Sequence, residues 1–124
     1  LEERQMQFLY KEGEAFVFMD TTSYEQLQLS AEQLGDNRWY LIDNTNVDVL
    51  FYNEKPIGVT PPTFVEMKVI RTEPGFKGDT SGGAMKPAVM ETGLEVSVPL
   101  FINDGEILKI DTRTGGYSER VNKR

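Results

Sequence analysis

The recurring feature of this sequence is a short run of apolar residues alternating with polar ones and stopped by turn formers, the pattern of short β-strands. Met6-Gln7-Phe8-Leu9-Tyr10 leads through Lys11-Glu12-Gly13-Glu14 into Ala15-Phe16-Val17-Phe18-Met19, a hairpin with a glycine in its loop. Tyr24 to Leu29 extends as a third strand, since Leu27 and Leu29 alternate with Gln26 and Gln28. Ser30 and Gln33 have the spacing of a capping box, so a helix starts there, and it is short because Gly35 ends it. Trp39, Leu41 and Ile42 are expected in the core. Tyr10, Tyr40 and Tyr52 are expected half-buried on strands. Val47 to Tyr52 is a strand, Asn53-Glu54-Lys55 turns it, and Pro56 to Thr60 returns.

Pro61-Pro62 marks a boundary, because two prolines cannot sit in a central strand. Thr63 to Thr72 reads as one long strand with Phe64, Val65, Met67, Val69 and Ile70 as its apolar residues, and Glu73-Pro74-Gly75 stops it. Gly75 to Lys86 is a glycine-rich loop. Four strands follow, near Met85–Met90, Leu94–Val98, Glu106–Asp111 and Gly116–Val121. Five short strands in a segment of this length suit a Greek-key barrel of the oligonucleotide/oligosaccharide-binding (OB) type. The expected fold is therefore all-β, two OB-type barrels of five to six strands in tandem, with one short helix in the first. The expected domains are 1–65 and 66–124.

The sequence contains no cysteine and no histidine. Disulfide scaffolds, thiolate or imidazole metal sites and a Ser-His-Asp triad are thereby excluded. Asp43, Asp48 and Glu54 lack the spacing of a calcium loop, and the glycines of 75–83 lack a phosphate-loop ending. No pair among the 20 acids is singled out for acid–base work. The expectation is no enzyme, no metal and no cofactor. No apolar run approaches the roughly 18 residues of a membrane span, so a cytoplasmic location without membrane contact is expected. The chain does not begin with methionine, so it is expected to be a fragment, and a monomer.

The charge is unevenly divided. Residues 1–65 hold 11 acids and 4 bases, net −7, whereas residues 66–124 hold nine of each. This is either a solvated acidic surface or a sign that each half meets a different partner. A patch of that charge repels phosphate backbones and attracts basic proteins. Lys77-Gly78-Asp79-Thr80 within the glycine-rich loop is either a plain turn or a recognition loop whose polar groups meet RNA. The Thr112–Tyr117 turn has the same two readings. In the second, Arg113 contacts phosphate with Lys109 and Arg120 nearby on the same barrel end.

Lys86-Pro87-Ala88, Gly93, Val96, Val98-Pro99, Ile102 and Gly105 together resemble the signature of bacterial translation elongation factor P. Phe64-Val65-Glu66, Glu73-Pro74-Gly75, Val98-Pro99-Leu100-Phe101, Asp111-Thr112-Arg113-Thr114-Gly115, Gly35-Asp36-Asn37 and Pro56-Ile57-Gly58-Val59 are similar to the family as well. The resemblance implies the middle and C-terminal domains of a three-domain factor. It implies binding to the 70S ribosome between the P and E sites, positioning peptidyl-tRNA to promote peptide bond formation at consecutive prolines. It places Gly78, Asp79 and Thr80 near messenger RNA in the E site. Lys77, Arg113 and Tyr117 fall by the P-site tRNA, and Gly35, Asp36 and Asn37 against a small-subunit ribosomal protein. An elongation-factor-P-like paralogue and a generic two-barrel RNA- or protein-binding module are the alternative readings.

Overall fold

The computed structural model describes residues 1–74 and 84–121. Of the candidate RNA contacts, Lys77, Gly78, Asp79 and Thr80 lie outside the described residues. The chain divides into two compact units, Leu1–Pro62 and Thr63–Arg124.

Unit 1 contains β1 (Glu2–Glu12), β2 (Ala15–Asp20), β3 (Gln26–Ser30), a one-turn helix α1 (Ala31–Leu34) continued by a 3₁₀ segment (Gly35–Tyr40), β4 (Asn46–Tyr52) and β5 (Lys55–Thr60). Unit 2 contains β6 (Phe64–Thr72), β7 (Met85–Met90), β8 (Glu95–Pro99), β9 (Ile107–Asp111) and β10 (Gly116–Val121). The antiparallel sheets run β3-β2-β1-β4-β5 and β10-β9-β6-β7-β8. Numbered within its own unit, each sheet has the first strand at the centre, flanked by the second and the fourth. Both sheets curl into OB-type half-barrels, as expected from the strand pattern.

The central strand of each unit is the longest because it serves two partners. β1 pairs with β4 from Glu2 to Gln7 and with β2 from Met6 to Glu12. β6 pairs with β9 from Phe64 to Lys68 and with β7 from Val69 to Thr72. In each, the register shifts by one residue on the β2 or β7 side, at Phe8/Tyr10 and at Val69/Arg71. An extra residue in one strand bends it and increases its twist. The bulge is thus the local device that curls each sheet.

Strand parity then sorts the side chains. In unit 1, Met6, Phe8, Phe16, Phe18, Val47, Val49 and Phe51 turn inward and pack with Leu29, Leu34 and Val59. The Phe8 ring lies 5.5 Å from Phe18 and 5.9 Å from Phe16, both tilted. In unit 2, Val65, Met67 and Val69 of β6 meet Ala88, Met90, Val98, Leu108 and Ile110.

The turns follow from local chemistry. Ser30 Oγ accepts the Gln33 N–H at 3.1 Å and the Gln33 amide oxygen accepts the Ser30 N–H at 2.8 Å, the capping box the sequence predicts. Asn53 and Glu54 both have positive φ (50° and 64°), so β4 and β5 are joined by the two-residue turn whose twist matches that of a hairpin. Asp20 accepts the N–H groups of Thr22 (2.7 Å) and Ser23 (3.0 Å). That turn puts Tyr24 at φ 66°, so the third strand starts at Gln26, later than the alternation suggests.

Several burial expectations are corrected. Trp39 and Ile42 are half-buried, with the Arg38 guanidinium 4.3 Å above the Trp39 ring, and Tyr40 is buried instead. The 3₁₀ segment rotates successive side chains by about 120°, a periodicity that strand reasoning does not anticipate. Tyr10 and Tyr52 are exposed on the outer face.

Phe18→Ala should cost about 3–5 kcal/mol, the loss of a fully buried aromatic plus its cavity, measured by chemical denaturation. Ser30→Ala should cost about 1 kcal/mol, because the Gln33 N–H loses its acceptor.

Candidate nucleic-acid and protein contact surfaces

The β9–β10 turn presents the clearest charged cluster of unit 2. Arg113 Nε and Nη2 donate to the two oxygens of Asp111 at 3.1 and 2.8 Å, and the Arg113 backbone N–H donates to the same carboxylate at 2.8 Å. These bonds hold the Asp111 carboxyl below the usual carboxylate range, the Arg113 side-chain bond contributing most and its backbone N–H next. The same fork raises the Arg113 guanidinium above its ordinary value. Two-thirds of the Arg113 side chain stays exposed, at 67%.

Cross-strand register places Phe64 opposite Asp111 and Glu66 opposite Lys109 on the outer face of this sheet. The Phe64 ring is 42% exposed, with Lys109 Nζ 5.4 Å and the Arg113 guanidinium 5.8 Å from its centre. An exposed ring beside two cations can stack a nucleobase and take its phosphate. Asp111 and Glu119 each offset one of these cations, Glu119 at 3.2 Å from Lys109, so such a contact is short-ranged. Phe64 was expected to supply apolar strand packing. Its phase is opposite to that of Val65, Met67 and Val69, and that parity was the available signal that it faces outward.

Tyr117 sits opposite buried Ile110, hence on the inward-facing side of β10, and is half-buried. Arg120, expected beside Arg113, lies toward the other end of the hairpin. It donates to Glu106 at 2.7 Å and stacks 4.9 Å from the exposed Phe101 ring. For Glu106, burial acts to raise the carboxyl. The Arg120 side-chain bond, the Asn103 N–H and the charges of Arg120 and Lys86 outweigh it, and the carboxyl is lowered.

In unit 1, Gly35, Asp36 and Asn37 do three different things. Gly35 ends α1, and its carbonyl accepts Arg38 Nη1 at 2.7 Å. Asn37 Nδ2 donates to the Val59 carbonyl of β5 at 2.7 Å, tying the 3₁₀ segment to the sheet. Of the triplet, Asp36 alone is exposed.

The residues of the Lys86–Gly105 pattern are architectural. Ala88, Val96, Val98 and Ile102 are buried. Gly93 and Gly105 have φ of 96° and 88°, conformations open mainly to glycine. Lys86 is buried, and its ammonium donates to the Glu73 carbonyl. Thr72 adds a bond from its hydroxyl to the Pro87 carbonyl at 2.8 Å, and its N–H donates to Asp104 at 2.8 Å. The chain on either side of residues 75–83 is thus fastened together.

Among the described residues, no group of three or more Asp or Glu is placed to hold a metal ion. Among the same residues no helix is long and apolar enough to cross a membrane.

Comparison with known proteins decides the family. The family model described as the elongation factor P OB domain matches residues 1–59, and the elongation factor P C-terminal model matches residues 65–120. The chain belongs to the elongation factor P family. Elongation factor P of Thermodesulfovibrio yellowstonii is 54% identical over 121 residues, 98% of this chain and 65% of the relative. Elongation factor P of Coprothermobacter proteolyticus gives the same identity over the same shares. Elongation factor P 2 of Geobacter sulfurreducens is 53% identical, again over 98% of this chain and 65% of the relative. The chain therefore spans about 65% of the length of the curated relatives it matches.

A carboxyl held low in the folded state contributes stability above its unfolded value, near pH 4, and loses it as pH falls through the folded value. A carboxyl-detected NMR titration should show Asp111 ionising below the ordinary aspartate range, and Arg113→Ala should move it upward.

Proposed function

We propose that this chain is the ribosome-contacting part of a translation elongation factor. In this reading it binds the 70S ribosome in the cytoplasm between the P and E sites and positions peptidyl-tRNA, promoting peptide bond formation at consecutive prolines. The observation that carries the proposal is the match of two successive elongation factor P models and of relatives at about 54% identity along nearly the whole chain. The chain is no enzyme in this reading. Its contribution is orientation, which lowers the entropic part of a barrier whose chemistry the ribosome carries.

The charge division supports separate partners for the two halves. The first half, at net −7, suits a basic small-subunit ribosomal protein met through Asp36, with Gly35 and Asn37 shaping its segment. The second half, with nine acids and nine bases, can approach RNA without net repulsion. Lys77, Gly78, Asp79 and Thr80 are proposed to meet messenger RNA and the tRNA stem on the resemblance alone. Arg113 is proposed to meet tRNA phosphate, with Phe64 and Lys109 beside it. Tyr117 is the weaker candidate, because its register turns it toward the barrel.

Co-sedimentation with ribosomes carrying P-site prolyl-tRNA and an empty E site tests this, with naked RNA as the control. The expected outcome is binding to the ribosome and not to the RNA. Asp79→Ala/Thr80→Ala and Arg113→Ala should each weaken binding about tenfold or more, the order of one lost charge-assisted hydrogen bond. Equal affinity for naked RNA would favour a generic two-barrel module instead.

A further inference from the structure

In unit 1 the sheet order β3-β2-β1-β4-β5 leaves β3 and β5 as its terminal strands, each paired on one side among the described residues. Unpaired strand edges offer main-chain donors and acceptors to any extended chain that fits between them. Here both edges border one cleft. Its wider part, about 660 Å³, has buried Met6 and Phe51 as its floor, with Leu27 and Gln28 of β3 on one wall and Pro56 of β5 on the other. A narrower hollow of about 100 Å³, lined by Leu29, Gly58 and Val59, continues it. Gln33 and Pro56 line both parts, so the two form one groove along β5. Six residues of strand make that groove roughly 20 Å long.

The groove has an apolar floor and an acidic rim. Glu25 and Glu54 border it with exposed carboxylates, while Asp20, also in the lining, is buried and accepts the Thr22 and Ser23 N–H groups. Arg4 also borders it, but lies 4.4 Å over the Phe51 ring and pairs with Glu2 at 3.1 Å. Gln26, Gln28 and Gln33 supply uncharged amides to the walls. Ile57, 56% exposed, stands at the lip as an unpartnered apolar side chain. At the α1 end, Asn37 already occupies the Val59 carbonyl, so the groove is closed there and open toward Glu54.

We propose that this groove is a docking site for an extended lysine- or arginine-rich segment of a partner protein. Such a segment adds as a strand beside β3 or β5, with alternate apolar side chains on Leu27, Pro56 and Ile57. Its cations face Glu25 and Glu54. Charge complementarity selects this occupant. A half of net −7 repels a nucleic-acid backbone, and it repels a second copy of itself. Asp36 does not line the groove, and binding there requires no ribosome, so the proposal goes beyond the function above and can fail without it.

The test is amide NMR of this chain titrated with acetyl-(Lys-Val)4-amide, with acetyl-(Glu-Val)4-amide and oligouridine as comparison ligands. Saturable shifts confined to Gln26–Ser30, Lys55–Thr60 and their cleft neighbours are expected for the basic peptide. Ile57→Lys and the double change Glu25→Lys/Glu54→Lys, all at exposed positions, should each weaken binding about tenfold. Retained spectral dispersion shows that these variants stay folded. The proposal is overturned if no saturation occurs on the order of millimolar peptide, or if shifts fall outside the cleft. Equal binding of the acidic peptide or of oligouridine, or a concentration-dependent dimer that shields the same amides, overturns it as well.

Discussion

Each unit depends on one strand that hydrogen-bonds to different neighbours along its two halves. β1 must satisfy β4 and β2, and β6 must satisfy β9 and β7. A straight strand would extend a flat sheet. A one-residue bulge bends the strand where it changes partner and lets five strands wrap around one core. Ile70 is exposed because it follows buried Val69 in the regular alternation of β6, and the bulge shows one residue later, where Arg71 is exposed at a position that strict alternation would turn inward.

The same strand order closes in different ways. In unit 2, β8 and β10 come into contact directly. In unit 1, α1 packs against both β3 and β5 and stands between their edges. A helix of four residues covers only part of the gap, and the acidic groove is the remainder. The candidate contact surface of unit 1 thus lies where its barrel closes incompletely. That of unit 2 lies on the outer face, where Phe64, Lys109 and Arg113 meet.

Legibility in the sequence followed the range of the interaction. The capping box of Ser30 and Gln33, the turn at Asn53-Glu54 (expected to include Lys55, which instead starts β5) and the positions of β4 and β7 all depend on neighbours within a few residues. Trp39 and Tyr40 exchanged places because a 3₁₀ segment has another periodicity than a strand. Arg113 could be named from its turn. Its fork to Asp111, two residues away, is local, whereas its ring partner Phe64, 49 residues away, comes from the β6–β9 register. The pattern Lys86–Gly105 identifies the family, yet its residues fill the core, adopt glycine-only turns or bind backbone. They mark a fold more directly than an activity.

The sequence alone determined the all-β class, the positions of most strands, the tandem division near Pro61-Pro62, the charge asymmetry and the family. These rest on side-chain periodicity, on proline and glycine geometry and on residue counts, all of which are local or additive. Tertiary structure decided which side chains share a surface. Placing Phe64 between Lys109 and Arg113, Asn37 on the Val59 carbonyl, and Leu27, Phe51 and Pro56 along one groove required the register of paired strands. Register is a long-range quantity: it is set jointly by the bulges, the turns and the packing of both faces, and a shift of one residue would turn every side chain of a strand to the other side.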